Sequence, residues 1–199
     1  MLIKDNTMWF LASHQNEPFA FMEKFFTEDE VNKIHELGQS RDIQPSAVTD
    51  VNMIAVNTTV RESHNSWIEP TTDSEWLYRK LTDAITTINK RFFEYDIVGF
   101  DPLQYTVYNS KVKGYYGGHI DYGFDMFVNR KLSFSVQLTD PKEYKGGELM
   151  IYDRVKGLGT PKDKGTIIFF PSFMFHEVKP VTKGTRHSLV GWVLGPKFK

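Results

Sequence analysis

Cysteine is absent from all 199 residues. Disulfides, thiolate nucleophiles, zinc fingers and cysteine-held iron–sulfur clusters are therefore excluded. An excess of one charge is missing too. Lys and Arg number 24 against 25 Asp and Glu, a formal net charge of -1. That balance leaves no electrostatic footprint for nucleic acid or an anionic membrane. No stretch approaches the roughly 20 apolar residues of a membrane span. Residues 1–10 carry Asp5 and Asn6 inside their only apolar run and do not read as a signal peptide. Repeats, low-complexity tracts and Gly/Ser linkers are lacking as well. The expectation is one cytosolic domain over 1–199, with 1–99 as a helical and strand support region and 100–195 as a β core. Oligomeric state is not legible.

Aromatic side chains are plentiful. The 16 Phe, 9 Tyr and 4 Trp point to a packed interior rather than a disordered chain. Thr27 and Glu30 form a Thr-x-x-Glu capping box, with Phe26 placed as a hydrophobic staple. Val31, Ile34 and Leu37 then recur at helical spacing, and Gly38 is a candidate residue just past the helix end. A second helix is predicted from Asp73 or Ser74, with Leu77, Leu81, Ala84, Ile85, Ile88 and Phe92 along one stripe. Val51–Val60 alternates and reads as a strand. His35 on the first helix reads as a solvated or edge residue, because no ligand partner lies at helical spacing.

After Phe100 only short β-type runs occur: Leu103–Asn109, Gly118–Tyr122, Leu132–Thr139, Glu148–Asp153, Thr166–Phe170, His176–Val181 and Arg186–Leu194. Gly, Pro, Asn and Lys clusters separate them. So many short strands imply an antiparallel jelly roll with the helices against one face, an α+β fold that is mainly β.

His119-Ile120-Asp121 is the first chemical feature. Side chains two apart on a strand share a face, so imidazole and carboxylate converge as a chelating pair. Alone the motif is weak, and a His–Asp hydrogen bond on a solvated strand explains it equally. A third ligand must come from the β region, since His14, His35 and His64 lie in the N-terminal half. His176 opens a strand just past Pro171, at a rim position. His187 neighbours Arg186 and points to the opposite face, so His176 is favoured. Two His and one Asp make the facial triad of non-haem Fe(II) oxygenases, though a zinc hydrolase can use the same ligands.

Arg186 breaks the tie. If Thr182-Lys183-Gly184 is a hairpin loop with Gly184 left-handed, Arg186 lies opposite Pro180 on the face of His176, roughly 13 Å along the strands. There it can clamp the far carboxylate of a five-carbon keto diacid. It would also neutralise the one negative charge left by Fe(II), Asp121 and the dianion. The bland alternative is a surface arginine at a hairpin end.

Gly146-Gly147 reads as a hairpin or tight strand entry and Glu148 as a solvated strand residue. Phe169, Phe170, Phe173 and Phe175 read as core and lid, because no basic residues interleave them as in a base-stacking platform. Of Tyr115 and Tyr116, one faces the site mouth and the other the core. Segments Ser110–Gly117 and Gly123–Arg130 flank the His119 strand and are expected to form a mobile mouth.

At this point Tyr108…Tyr116-x-x-His119-x-Asp121, Tyr144-x-Gly146-Gly147-Glu148-Leu149, Phe170-Pro171…His176-x-Val178-x-Pro180-Val181-x-x-Gly184-x-Arg186 and Trp192 together resemble the Fe(II)/2-oxoglutarate dioxygenases of the prolyl 4-hydroxylase type. The resemblance covers about 103–194, and extends more weakly to Arg61-x-Ser63-x-x-x-Trp67. It implies a double-stranded β-helix, iron on His119, Asp121 and His176, and 2-oxoglutarate on Arg186. Tyr108 and Trp192 match residues that bind or line the cosubstrate pocket. Arg61, Trp67 and Tyr116 are candidates for substrate contact. The implied cofactors are Fe(II), 2-oxoglutarate and dioxygen, with ascorbate a candidate accessory. The implied partner is a peptide or protein carrying a prolyl residue. The retained Asp121 favours hydroxylation over halogenation. A non-catalytic jelly-roll binding module and a cupin-like metalloenzyme stand as alternatives.

Overall fold

A computed structural model describes residues 18–50, 53–123, 129–153 and 156–197. Twelve strands and two helices position the site. They are β1 (Ala20–Met22), α1 (Glu28–Gln39), β2 (Gln44–Pro45), β3 (Arg61–Glu62), β4 (His64–Ile68), α2 (Glu75–Ile88), β5 (Leu103–Asn109), β6 (Tyr115–His119), β7 (Arg130–Gln137), β8 (Leu149–Asp153), β9 (Lys156–Gly159), β10 (Ile167–Pro171), β11 (His176–Val178) and β12 (Thr185–Leu194). The larger sheet runs β1-β10-β7-β12-β5-β4-β2, and the smaller β9-β8-β11-β6-β3, with every pairing antiparallel. Strands from the N-terminal half thus enter both sheets. This is the double-stranded β-helix that the sequence pattern and resemblance anticipated, with both helices on the outer face of the larger sheet.

The capping box at Thr27 forms as predicted. The Thr27 amide donates to Glu30 Oε2 at 2.8 Å, and the Glu30 amide donates to Thr27 Oγ1 at 3.3 Å. Such caps contribute about 1 kcal/mol. Val31 and Ile34 of α1 and Leu77, Leu81, Ala84, Ile85 and Ile88 of α2 pack against Ile68, Leu103, Leu132, Phe134, Val136, Leu189 and Val193 of the sheet. Gly38 lies inside α1 rather than past its end. A Cβ there would sit 2.3 Å from the Tyr105 ring, so glycine is what lets α1 approach β5. The stripe of α2 stops at Ile88, and Phe92 lies in a π-helical turn over Asn89–Phe93. The strand predicted over 51–60 is instead a short hairpin, Val48–Asp50 against Met53–Ala55. Residues 51 and 52 lie outside the described residues, and Asn57 then turns the chain by accepting from Thr59.

The alternation along the larger sheet has an unusual consequence. On β7, Leu132, Phe134 and Val136 join the helix-side core, while Ser133, Ser135 and Gln137 are buried on the other side. On β12, Leu189 and Val193 face the helices, and Arg186, Ser188, Val190 and Trp192 line a cavity. A polar strand face that would ordinarily meet water is covered here by the smaller sheet. Tyr108, Leu149, Ile151, Ile168, Phe170, Val178 and Val181 form the apolar seam around that cavity.

His35 corrects its predicted solvation. It is half-buried, with Nδ1 2.9 Å from Tyr105 Oη and Nε2 3.1 Å from the Leu138 carbonyl. Its ring lies 5.0 Å from that of His187, on the side of β12 away from Arg186. Burial pushes His187 down to about 4, and the charges of His35 and Arg186 act in the same direction. Burial likewise lowers His35. Unfolding restores His187 to its ordinary 6.5. The neutral ring therefore contributes stability in full above pH 6.5, and this is lost as the pH falls toward 4. Replacing His187 by Gln should flatten the fall of unfolding free energy over that window by up to about 1.4 kcal/mol per pH unit. Denaturant melts between pH 7 and 4 check this. Parallel curves for the two proteins would place the proton uptake elsewhere.

Candidate functional site

The cavity between the sheets holds about 450 Å³, counting its open mouth. Three groups converge at one wall. His119 ends β6 and His176 begins β11, and the two are register partners across the smaller sheet with rings 4.1 Å apart. Asp121 was expected on the same strand as His119, but β6 stops at His119. Asp121 is turned inward because its amide and that of Tyr122 both donate to the Ser172 carbonyl, at 2.9 and 3.0 Å. The result is the convergence that the motif suggested, reached through a turn instead of strand alternation. One donor atom from each of His119, Asp121 and His176 lies within 4.8 Å of the others.

The electrostatics suit a divalent cation. His119 Nδ1 is 2.8 Å from the Gly117 carbonyl and His176 Nδ1 is 2.9 Å from the Met174 carbonyl. A carbonyl can only accept, so both Nδ1 atoms carry a proton and it is the two Nε2 atoms that face the site. Each Nε2 lies near Asp121, at 3.6 Å for His119 and 3.5 Å for His176. Burial pushes His176 down to about 4 against the pull of the Asp121 charge, so the ring is neutral at pH 7. Burial raises the Asp121 carboxyl, but the charged forms of His176 and His119 and the Ser133 hydroxyl outweigh it and hold it below the usual carboxylate range. Two imidazoles and one carboxylate are a donor set that fits iron(II).

Arg186 lines the same cavity and is 1% exposed. Its Nη2 donates to Gln137 Oε1 at 3.0 Å, its Nη1 reaches Ser188 Oγ at 3.5 Å, and its Nε has no partner among the described residues. Among the described residues no acidic side chain pairs with it. A buried guanidinium without a counter-ion and with an unused donor fits an incoming carboxylate. The route to this placement differs from the predicted hairpin. Gly184 is left-handed as expected, with φ +70°. Val181–Lys183, however, pairs with Lys145–Gly146, while Thr185 pairs with Asn109 of β5. The chain thus crosses between sheets at Gly184, and Arg186 sits opposite Tyr108. Gly147, with φ +65°, packs against the arginine stem, where a Cβ would lie 2.9 Å from Arg186 Cδ.

Tyr108 and Trp192 line the cavity, and the Arg186 guanidinium lies 5.4 Å from the Tyr108 ring. Tyr116 also lines it and stacks on His119 at 3.6 Å. Burial pushes its hydroxyl up to about 12, so it remains a donor. Tyr115 points away and bonds the Thr58 carbonyl. Arg61 is buried in the wall, bonded to Ser63 Oγ at 2.7 Å and Gln104 Oε1 at 2.9 Å, with its guanidinium over Tyr116. It lies on β3 and Trp67 on β4, two strands of the connection between α1 and α2. Trp67 is 44% exposed, outside the cavity lining, with its ring 6.1 Å from that of Trp192.

Other expectations resolve plainly. Phe169 and Phe170 are core, and Phe173 and Phe175 are half-exposed. Glu148 pairs with Lys162 at 3.0 Å. Ser110–Val112 is a 3₁₀ turn leading into β6, and 124–128 of the second expected mouth segment lie outside the described residues. Sequence reasoning passed over Gln104, Ser133, Gln137 and Ser172, whose polar contacts surround the site. The only signal was polar residues alternating with apolar ones in Leu132–Gln137, a pattern that ordinarily marks a solvent face.

Residues 103–194 match the 2OG-Fe(II) oxygenase superfamily. A PKHD-type hydroxylase of Gloeothece citriformis is 44% identical over 80 residues, 39% of this chain and 36% of that protein. One of Crocosphaera subtropica is 36% identical over 94 residues, 46% of this chain and 41% of that protein. The chain therefore aligns with well under half of the length of these relatives. Among solved structures, a Pseudomonas putida prolyl-4-hydroxylase superposes with a TM-score of 0.72 at 19% identity, covering 90% of this chain and 93% of that one. A Trichoplax adhaerens prolyl hydroxylase, solved with a hypoxia inducible factor peptide fragment, gives 0.72 at 21% identity, covering 89% and 83%. No helix among the described residues is long and apolar enough to cross a membrane. The β core that carries the converging His119, Asp121 and His176 thus matches the 2OG-Fe(II) oxygenase superfamily over residues 103–194, and the chain shares the fold of the prolyl 4-hydroxylases.

Proposed function

We propose that this chain is a 2-oxoglutarate-dependent dioxygenase that hydroxylates a prolyl residue in a peptide or protein. The observation that carries the reading is a single buried cavity with two imidazoles and a carboxylate at one wall and an acid-free arginine at another. His119, Asp121 and His176 would hold Fe(II), and Arg186 the far carboxylate of 2-oxoglutarate. Bound together, iron and 2-oxoglutarate supply the oxidising power, drawn from dioxygen as the keto acid loses CO2, that converts C–H to C–OH. The chain's own residues bind, orient and exclude water. The two backbone-anchored Nδ1 atoms fix the imidazole planes. Arg186 neutralises the excess charge of the dianion, Tyr108 packs beside it, and Trp192 walls the pocket.

Arg61 and Tyr116 face the cavity and are assigned to the primary substrate, with Trp67 at its outer margin. The names of the relatives and the peptide bound to the Trichoplax protein support a peptide or protein substrate.

Succinate release from 2-oxoglutarate, with and without Fe(II) and proline-containing peptides, tests the reading. Fe(II)-dependent succinate and a 16-Da gain on the peptide are expected. Metal-independent inertness would favour a binding module, and activity with Zn(II) alone a cupin-like hydrolase. Co(II) titration should show binding abolished by His176→Ala and kept by His187→Gln. The reverse pattern would overturn the ligand assignment. Arg186→Lys should weaken 2-oxoglutarate by about 1–3 kcal/mol, because an ammonium cannot reproduce the bidentate fork. Arg186→Ala should weaken it further while Co(II) binding survives. Equal 2-oxoglutarate KM in all three proteins would remove Arg186 from the cosubstrate site.

A further inference from the structure

Two buried hydroxyl groups beside the triad have no part in the proposed reaction. Ser133, on β7, and Ser172, just past β10, are both fully buried. The Ser133 hydroxyl donates to Asp121 Oδ2 at 2.6 Å. Ser133 Oγ also lies 3.1 Å from Ser172 Oγ. A hydroxyl has one proton, so Ser172 is the donor in that second bond and Ser133 the acceptor. The main chain of Ser172 is engaged as well. Its carbonyl receives the amides of Asp121 and Tyr122, and its own amide donates to the Lys131 carbonyl at 3.0 Å.

Asp121 therefore owes its place to the larger sheet, although it follows a strand of the smaller one. The Ser172 carbonyl sets where its backbone turns, and the Ser133 hydroxyl sets how the carboxylate is rotated. Oδ2 is occupied by a strong charge-assisted bond, whereas no hydroxyl bond to Oδ1 is seen among the described residues. A carboxylate that lends one oxygen takes one position on a metal, whereas one that lends both takes two. The facial triad depends on leaving positions open.

We infer that Ser172 and Ser133 form a hydroxyl relay that makes Asp121 a one-oxygen ligand, with Ser133 a positioning residue acting through Asp121. The inference rests on the metal site proposed above.

Co(II) alone, added to the full chain, tests it by calorimetry and by the visible absorption of the bound ion. Ser133→Ala should lower Co(II) affinity about tenfold or more, the scale of a lost partner behind a ligand, and shift the absorption bands. Ser172→Ala should lower it less, because its backbone carbonyl still holds Asp121. The double variant should bind no worse than Ser133→Ala, since a relay acts in series. Wild-type affinity and spectrum in Ser133→Ala, or additive losses in the double variant, would overturn the relay. Asp121→Ala separates the two levels. If it binds Co(II) like the wild type, the metal-site reading itself falls. If it fails to bind while Ser133→Ala is unaffected, only the relay falls. Should Ser133→Ala not fold, Ser172→Ala and Ser133→Thr carry the test. The relay then requires a weakened Ser172→Ala beside a Ser133→Thr that still binds, and the opposite ranking overturns it.

Discussion

The burial of a polar sheet face is the constraint on which the rest of this structure turns. The inward side of the larger sheet carries Gln104, Thr106, Ser133, Ser135, Gln137, Arg186 and Ser188, all removed from water. Burying such groups costs free energy unless each finds a partner. The smaller sheet cannot seal down on them as an apolar layer would. It stands off, closed at its edges by Leu149, Ile151, Phe170, Val178 and Val181, and the space left between is the cavity. Stability comes instead from the opposite face, where two helices bury an uninterrupted apolar layer. The fold thus separates its tasks by the two-residue period of a strand, with one face for packing and the other for chemistry.

Charge follows the same division. Asp121 is 9% exposed and Arg186 is 1% exposed, yet they do not pair with each other. Asp121 accepts from the Ser133 hydroxyl and is flanked by the two imidazoles. Arg186 is held by neutral acceptors, Gln137 and Ser188. Keeping opposite charges apart inside one cavity leaves each with unspent attraction, and the natural recipients are a cation beside Asp121 and an anion beside Arg186. That separation suits the cavity to the proposed metal and acidic cosubstrate better than a buried ion pair would.

Glycines permit the close approaches this arrangement needs. Gly147 leaves room for the arginine stem, and Gly38 lets the first helix settle on Tyr105. Gly184 adopts the left-handed turn at which the chain leaves the neighbourhood of the smaller sheet and enters the larger. These positions couple backbone conformation directly to the orientation of site residues, so the cavity is built by the path of the chain as much as by its side chains.

Local patterns were enough to locate most elements. The capping box at Thr27, the α2 stripe from Leu77 to Ile88 and the run Leu103–Asn109 are legible because they depend on neighbours a few residues apart. The spacing of His119, Asp121, His176 and Arg186 was legible for the same reason, and it suggested which chemistry to expect. Contacts between distant segments were not. Nothing near His35 in the chain reveals that Tyr105 and Leu138 would close over it. The polar alternation of Leu132–Gln137 reads as a solvent face until a second sheet is placed above it. The turn that brings Asp121 inward depends on Ser172, and the placement of Arg186 depends on a crossover between sheets rather than a hairpin. The amino-acid sequence by itself determined which functional groups are present and the order in which they come. Only the tertiary structure decided which of them share a cavity, because strand pairing between residues far apart in the chain sets which faces are covered and which groups must find partners there.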